Sequence, residues 1–152
     1  MATLLQEFTE FVAALNRRRL AYAVCGGWAM TIHGCPRATM DIDVMVLPED
    51  LTQAWQIAVD LGYNVEGLPL NLHDGAVEIK RISKIEAETK ILFTIDFLLV
   101  TEATQQIWQD RETVEWENGA IFTVSRAGLI QLKKISGRLQ DLADIERLQD
   151  ES

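Results

Sequence analysis

The sequence predicts an α/β or α+β domain with a mixed sheet flanked by helices. Three observations carry this. Apolar residues recur at helical spacing at both ends of the chain, residues 40–47 alternate as a strand, and two further apolar runs, 77–82 and 91–99, read as neighbouring strands. The order helix, strand, helix, strand, helix, several strands, then helices belongs to mixed α and β layers. The length of 152 residues suits one domain spanning 1–152.

The first helix is marked by Leu4, Phe8, Phe11 and Leu15, with Arg17, Arg18 and Arg19 at its C-terminal end, where cations meet the helix dipole favourably. Ala21 to Cys25 follows as a short buried strand. Gly26-Gly27 breaks it, and Trp28 to His33 reads as a short helix stopped by Gly34 and Pro36. Met40 to Leu47 is the clearest strand. Pro48-Glu49-Asp50 opens a helix whose apolar side is marked by Leu51, Trp55 and Val59 and which ends at Gly62. The stretch 66–75 fits no single pattern. Val77 to Ile82 and Ile91 to Leu99 read as a hairpin joined by the mostly polar run Ser83 to Thr89. Glu102 to Gln109 reads as helix. Asn118-Gly119 marks a tight hairpin between 114–116 and 120–124. Ser125 caps a helix carrying Leu129, Ile130, Leu132 and Ile135. After Gly137, a last helix carries Leu139, Leu142, Ile145 and Leu148.

Composition narrows the function classes. A hydrophobic fraction of 48% and a charged fraction of 24% are ordinary for a folded domain. No apolar run is long enough to span a bilayer, and no basic stretch precedes an apolar one at the start, so the expected location is cytoplasmic. Cys25 and Cys35 form no Cys-x-x-Cys pair and read as reduced, buried thiols rather than a zinc site. The net charge of −9 argues against nonspecific gripping of long nucleic acid. Contact with RNA would need a local patch, Arg17 to Arg19 or Lys133, Lys134 and Arg138.

Three carboxylates carry the chemistry. Asp41 and Asp43 stand at i and i+2 in a strand, so both project from one face. Like charges this close call for compensation, which a divalent cation supplies. Asp96 lies inside the apolar strand 91–100, on the face opposite Ile91, Phe93, Ile95 and Phe97. A charge in such a strand is rarely buried without a partner. If the two strands are neighbours, the three carboxylates converge as a site for one or two metal ions of the kind used in phosphoryl transfer. Gly26-Gly27 between strand and helix lets a phosphate approach the backbone and a helix start. Arg37 and Thr39 are further candidates for contact with phosphate or acceptor.

The run from Val24 to Val44, with Gly26-Gly27-Trp28-Ala29, His33-Gly34, Arg37-Ala38-Thr39 and Asp41-Ile42-Asp43 in that order, resembles the signature of the nucleotidyltransferase superfamily. It is most similar to the abortive-infection, or type IV toxin, nucleotidyltransferases and related small bacterial proteins. The Gly-Gly-Trp variant also resembles antibiotic nucleotidyltransferases of the lincosamide type. Late in the chain, Lys133, then Arg138, then Asp141 and Asp144 resemble that toxin family's last motifs. The resemblance implies a nucleotidyltransferase-type sheet, with Gly26 and Gly27 holding nucleotide phosphates and Asp41, Asp43 and Asp96 binding Mg2+ or Mn2+. It implies Asp96 as ligand or base, Lys133 at the triphosphate or acceptor, and Arg138, Asp141 and Asp144 as late-motif residues. Gly27-Trp28 stands where many members have Gly-Ser, so a phosphate-binding hydroxyl is missing.

The implied activity is transfer of a nucleoside monophosphate from an NTP to an acceptor hydroxyl, an RNA 3′ end or a protein, in a toxin–antitoxin setting with a cognate antitoxin as partner. Two alternatives stay open. One is transfer to an antibiotic hydroxyl. The other is a noncatalytic, nucleotide-binding partner subunit.

Overall fold

The computed structural model describes residues 2–150. Helix α1 (Leu4–Arg17) buries Phe8, Phe11, Val12 and Leu15. Its start is closed by a reciprocal cap in which Thr3 accepts from the Gln6 N–H and Gln6 accepts from the Thr3 N–H. The buried strand β1 (Ala23–Cys25) runs directly into α2 (Gly26–Ile32). The two glycines therefore form the first turn of that helix rather than a break ahead of it. Strand β2 (Asp41–Val46) leads through a 3-10 turn to α3 (Leu51–Asp60). Ala54, Ile57 and Ala58 face the core in α3, whereas Val59, expected on the apolar side, is exposed.

The ambiguous stretch 66–75 holds two short strands, β3 (Val65–Glu66) and β4 (Leu70–Leu72). Strand β5 (Val77–Ile85) continues three residues past its expected end and forms a hairpin with β6 (Leu92–Leu99). A capped 3-10 turn at Glu102–Thr104 precedes α4 (Gln105–Gln109). The hairpin of β7 (Glu112–Trp116) and β8 (Gly119–Thr123) turns at Glu117-Asn118, and Gly119 is already paired with Trp116. Helix α5 (Arg126–Ser136) is capped by Ser125, whose hydroxyl accepts from the Gly128 N–H at 2.9 Å. Helix α6 (Leu139–Asp150) ends the described chain. Its buried stripe is Asp141, Asp144, Ile145 and Leu148, while Leu139 and Leu142 face out. The apolar periodicity pointed to a face that includes both leucines. The helix is instead turned so that two aspartates reach a buried lysine.

The strands form one mixed sheet in the order β3-β5-β6-β2-β1-β8-β7, with β4 also paired to β5. The pairs β2·β6 and β1·β8 are parallel and the others antiparallel. A parallel β2·β6 pair needs a long crossover, and α3 lies within it. Helices α1 and α3 cover one face: Phe11 and Trp55 both meet Phe97 of β6, with ring centroids 5.9 and 6.1 Å apart. Phe97 is the neighbour of Asp96, so Asp96 points to the other face. Within the described residues, no helix is long and apolar enough to cross a membrane.

A buried polar cluster helps tie α1 to the sheet. Glu7 is buried, and its Oε1 accepts from the Tyr63 hydroxyl at 2.9 Å and pairs with Lys84 Nζ at 2.7 Å. Lys84 also lies over the Tyr63 ring and donates to the Leu61 carbonyl. Tyr63→Phe removes one of two supports from a buried carboxylate. The expected cost is about 1–2 kcal/mol, read from urea denaturation; an unchanged midpoint would show that Lys84 alone satisfies Glu7.

Candidate active site

Four side chains stand in a row across adjacent strands. In the β5·β6 hairpin Arg81 pairs with Asp96, in the parallel β2·β6 pair Asp96 is level with Asp43, and in the β1·β2 pair Asp43 is level with Cys25. Residues level across a sheet share a face, so Arg81, Asp96, Asp43 and Cys25 point the same way. Asp41, two residues before Asp43, shares that face. Together they form the floor of a cleft of about 440 Å3.

The start of α2 closes on this floor. Gly26 has φ +64, and a Cβ placed there would stand 2.0 Å from Asp43 Oδ2. A Cβ at Gly27 would stand 2.5 Å from Thr39 Oγ1. Neither position tolerates a side chain without displacing a candidate site residue. The Thr39 hydroxyl donates to the Asp41 carbonyl at 3.1 Å. The glycines, Thr39 and the carboxylates are thus brought together as the sequence suggested.

The polar wall of the cleft is built by Arg37 and by the ends of α5 and α6. Lys133 is almost fully buried, with Nζ 2.8 Å from Asp144 Oδ2 and 3.7 Å from Asp141 Oδ1. Arg138 donates from Nε to Asp141 at 2.9 Å, and Arg37 Nε lies 3.2 Å from Asp144. Burial raises the Asp141 carboxyl, but the hydrogen bonds from Arg138 and Ser136 bring it below the usual carboxylate range. Every late-motif residue reaches the cleft or its wall, yet each is committed to a partner. Lys133 therefore forms no part of an exposed basic patch. The opposite wall is apolar, made by Leu70, Leu72, Val77, Ile79 and Leu98.

Arg81 was not singled out in the sequence, and it shapes the electrostatics of the floor. Its Nε donates to Asp96 Oδ1 at 2.7 Å and its Nη2 to Oδ2 at 2.9 Å, a bidentate pair. Nη2 also lies 3.7 Å from Asp41 Oδ2. Asp43 has no such partner. Burial first, then the Asp96 and Asp41 carboxylates, push its pKa up to about 7. Asp41 is raised by burial and by Asp96, against the pull of Arg81. Burial, then the Asp43 and Asp96 carboxylates, raise the Cys25 thiol well above its ordinary value.

A divalent cation suits part of this donor set. Asp41 and Asp43 offer hard oxygens at i and i+2, and a cation would offset both the burial and the crowded negative charge that raise their pKa values. As the side chains stand, the expected three-carboxylate set is not closed: among the described residues no three His, Cys, Asp or Glu side chains are arranged to hold an ion. Asp96 is in place, but both its oxygens are turned to Arg81.

The remaining singled-out residues serve packing. Trp28 stacks on Phe8 at 4.2 Å. His33 Nε2 bonds the Val124 carbonyl at 2.8 Å. Cys25 and Cys35 are both buried.

No protein-family model matches this chain, and comparison with curated proteins finds no match. Solved structures do match. ANT(2")-Ia in complex with adenylyl-2"-tobramycin superposes with a TM-score of 0.66 at 16% identity, over 97% of this chain and 87% of that one. The Thermotoga maritima protein TM1012, crystallised as a candidate nucleotidyltransferase, gives 0.65 at 14% identity over 97% and 93%. The solution structure of the antibiotic-resistance factor ANT(2'')-Ia gives 0.61 at 16% identity over 96% and 83%. The chain has the fold of these nucleotidyltransferases.

The raised carboxyl of Asp43 makes stability depend on pH. An unfolded aspartate titrates near ~3.9, so between about pH 4 and the folded value of about 7 the folded protein holds a proton that the unfolded chain has lost. Asp43 thus contributes stability that is full below the unfolded pKa and is lost as pH rises through the folded one. In chelator, the wild-type melting temperature is expected to fall between pH 5 and 8, and Asp43→Asn to flatten that fall. Parallel curves for the two proteins would show that Asp43 does not titrate there.

Proposed function

We propose that the chain is a metal-dependent nucleotidyltransferase that moves a nucleoside monophosphate from an NTP to an acceptor hydroxyl. The observation that carries this reading is the row of carboxylates on β2 and β6, set against a glycine helix start at the floor of one cleft.

In this reading Asp41 and Asp43 hold Mg2+ or Mn2+, which when bound neutralises charge developing on the transferring phosphate. The N–H groups at Gly26 and Gly27 receive phosphate oxygens, helped by the start of α2. The Thr39 hydroxyl fills the space beside Gly27 but donates to the Asp41 carbonyl, so it steadies the strand that carries the carboxylates. Arg37 and Lys133 bring positive charge to the triphosphate side. The acceptor oxygen bonds to the α-phosphorus, and the bond from that phosphorus to the bridging oxygen breaks. Pyrophosphate leaves in line with the electron pair. Asp96 takes the hydroxyl proton, since a carboxylate offers about four lone-pair sites, enough for a cation and a proton together.

The acceptor we favour is an RNA 3′ end or a protein hydroxyl in a cytoplasmic toxin–antitoxin setting, with an antitoxin as partner. The cleft charge supports it over a polycationic drug. Asp41, Asp43, Asp96 and Asp141, with Asp144 behind the wall, face Arg37, Arg81, Lys133 and Arg138, an excess of one carboxylate, so most of the chain's acidity lies elsewhere. The fold likeness to ANT(2")-Ia, whose structure holds adenylyl-2"-tobramycin, supports an antibiotic hydroxyl as the second reading. A nucleotide-binding partner subunit is the third, motivated by Trp28, which is stacked on Phe8 and supplies no hydroxyl.

The test is to incubate the pure protein with labelled NTPs, Mg2+, total RNA and lysate, and separately with antibiotics, and to follow the label. Transfer is expected, and Asp43→Asn is expected to reduce it by about 100-fold or more. Transfer at the wild-type level by that variant would overturn the reading. Stabilisation by NTP and Mg2+ with no labelled product would favour the partner subunit.

A further inference from the structure

Arg81 stands where a bound cation would have to act. Its guanidinium engages both oxygens of Asp96 at 2.7 and 2.9 Å and reaches within 3.7 Å of Asp41. It thereby already provides the floor with the positive charge that the crowded carboxylates demand. The pair is not sealed in, because the Arg81 side chain is 45% exposed. Its stem has room on one side for a specific reason. A Cβ at Gly67 would stand 3.1–3.3 Å from Cβ, Cγ and Cδ of Arg81, so any larger residue there would press on the stem. Gly67 also donates its N–H to the Arg81 carbonyl at 2.9 Å, which holds the two backbones together while leaving the side chain clear.

The other cleft cations differ. Lys133 is buried between Asp141 and Asp144, and Arg138 and Arg37 are paired with the same two aspartates. Arg81 alone among them pairs with the carboxylates of the floor. A guanidinium bonds a carboxylate or a phosphate through the same planar fork. It therefore exchanges one partner for the other without losing its hydrogen bonds.

We propose that Arg81 is an exchangeable counter-cation, which holds Asp96 in the nucleotide-free protein and passes to the polyphosphate of an incoming NTP as a divalent ion takes its place. This rests on the nucleotidyl-transfer reading and adds to it a reason for ordered loading. A divalent ion arriving alone meets a guanidinium already on its carboxylates and binds weakly. An NTP draws the guanidinium away and so strengthens metal binding. By linkage the metal strengthens NTP binding by the same factor. Arg81 is thus a positioning residue for Asp96 and a gate on the metal site.

The test measures Mn2+ binding calorimetrically, without nucleotide, to wild type, Arg81→Gln and Arg81→Lys. Circular dichroism checks that each is folded. Arg81→Gln is expected to bind Mn2+ about tenfold more tightly than wild type. Arg81→Lys, which keeps a charge but loses the fork, is expected to gain by a smaller factor. A merely structural arginine would leave Mn2+ affinity equal or reduced in both variants, and that result overturns the proposal. If the glutamine variant does not fold, the lysine variant decides on the same criterion. Equal Mn2+ affinities together with Asp43-dependent transfer would sink the proposal and leave the reading standing. Absence of Mn2+ binding in all three proteins would remove the metal part of the reading and the proposal with it.

Discussion

Two carboxylates level with each other on neighbouring parallel strands, Asp43 on β2 and Asp96 on β6, set the terms for their surroundings. Such a pair cannot both be charged beside each other without a cation. The protein meets this constraint unevenly. Arg81 on the next strand neutralises Asp96 from one side, and nothing comparable reaches Asp43 from the other, where Cys25 stands. The result is a floor with one satisfied carboxylate and one whose pKa is raised, first by burial and then by its acidic neighbours. A protein selected for stability alone would have little reason to keep this arrangement, whereas a site that must attract a cation needs it.

The rest of the fold serves this floor. The parallel β2·β6 register requires a crossover, and α3 within it seals the opposite face through Trp55 and Phe97. That leaves the carboxylate face open. Gly26 is constrained in turn: the helix start can approach Asp43 only because no Cβ intervenes, and the φ of +64 suits glycine. Behind the polar wall, α6 gives up leucine burial. It exposes Leu139 and Leu142 so that Asp141 and Asp144 reach Lys133 and fix the position of the wall. A buried ion network is a weak source of stability but fixes geometry when every member is paired.

What the sequence revealed and what it hid follow from local versus nonlocal physics. Alternation along a strand is local, so Asp41, Asp43 and Asp96 were legible as residues facing away from an apolar side. Register is not local. Ending β5 at Ile82 and starting the next strand at Ile91 would set Arg81 opposite Leu92, and Arg81 then looks like an ordinary surface charge. Because β5 runs to Ile85, which pairs with Leu92, Arg81 slides along to Asp96. The signal for that register was Ser83, a small polar residue able to pair across the strands with Thr94, as their hydroxyls do at 2.9 Å. The α6 stripe was hidden differently. Apolar periodicity assumes that buried positions are apolar, and Asp141 and Asp144 break that assumption because both pair with the buried Lys133.

Charge in the cleft carries the argument about the acceptor further than overall composition does. A chain at −9 would suggest a cleft that draws in cations. The cleft and its wall hold one carboxylate more than their cations, and the two walls differ in kind, one of paired charges and one of Leu70, Leu72, Val77, Ile79 and Leu98. In the proposed reading, triphosphate lies against the charged wall, where oriented cations and the start of α2 lie. An apolar wall gains from covering a flat or aliphatic body and gains nothing from an ammonium group, whose desolvation it would not repay. Under the proposed reading, such a wall favours an acceptor, or a base, that presents an uncharged face to the leucines and a single hydroxyl to Asp96. The surplus acid outside the cleft acts at longer range. It disfavours the approach of extended RNA except at an end, where only a few phosphates must be tolerated.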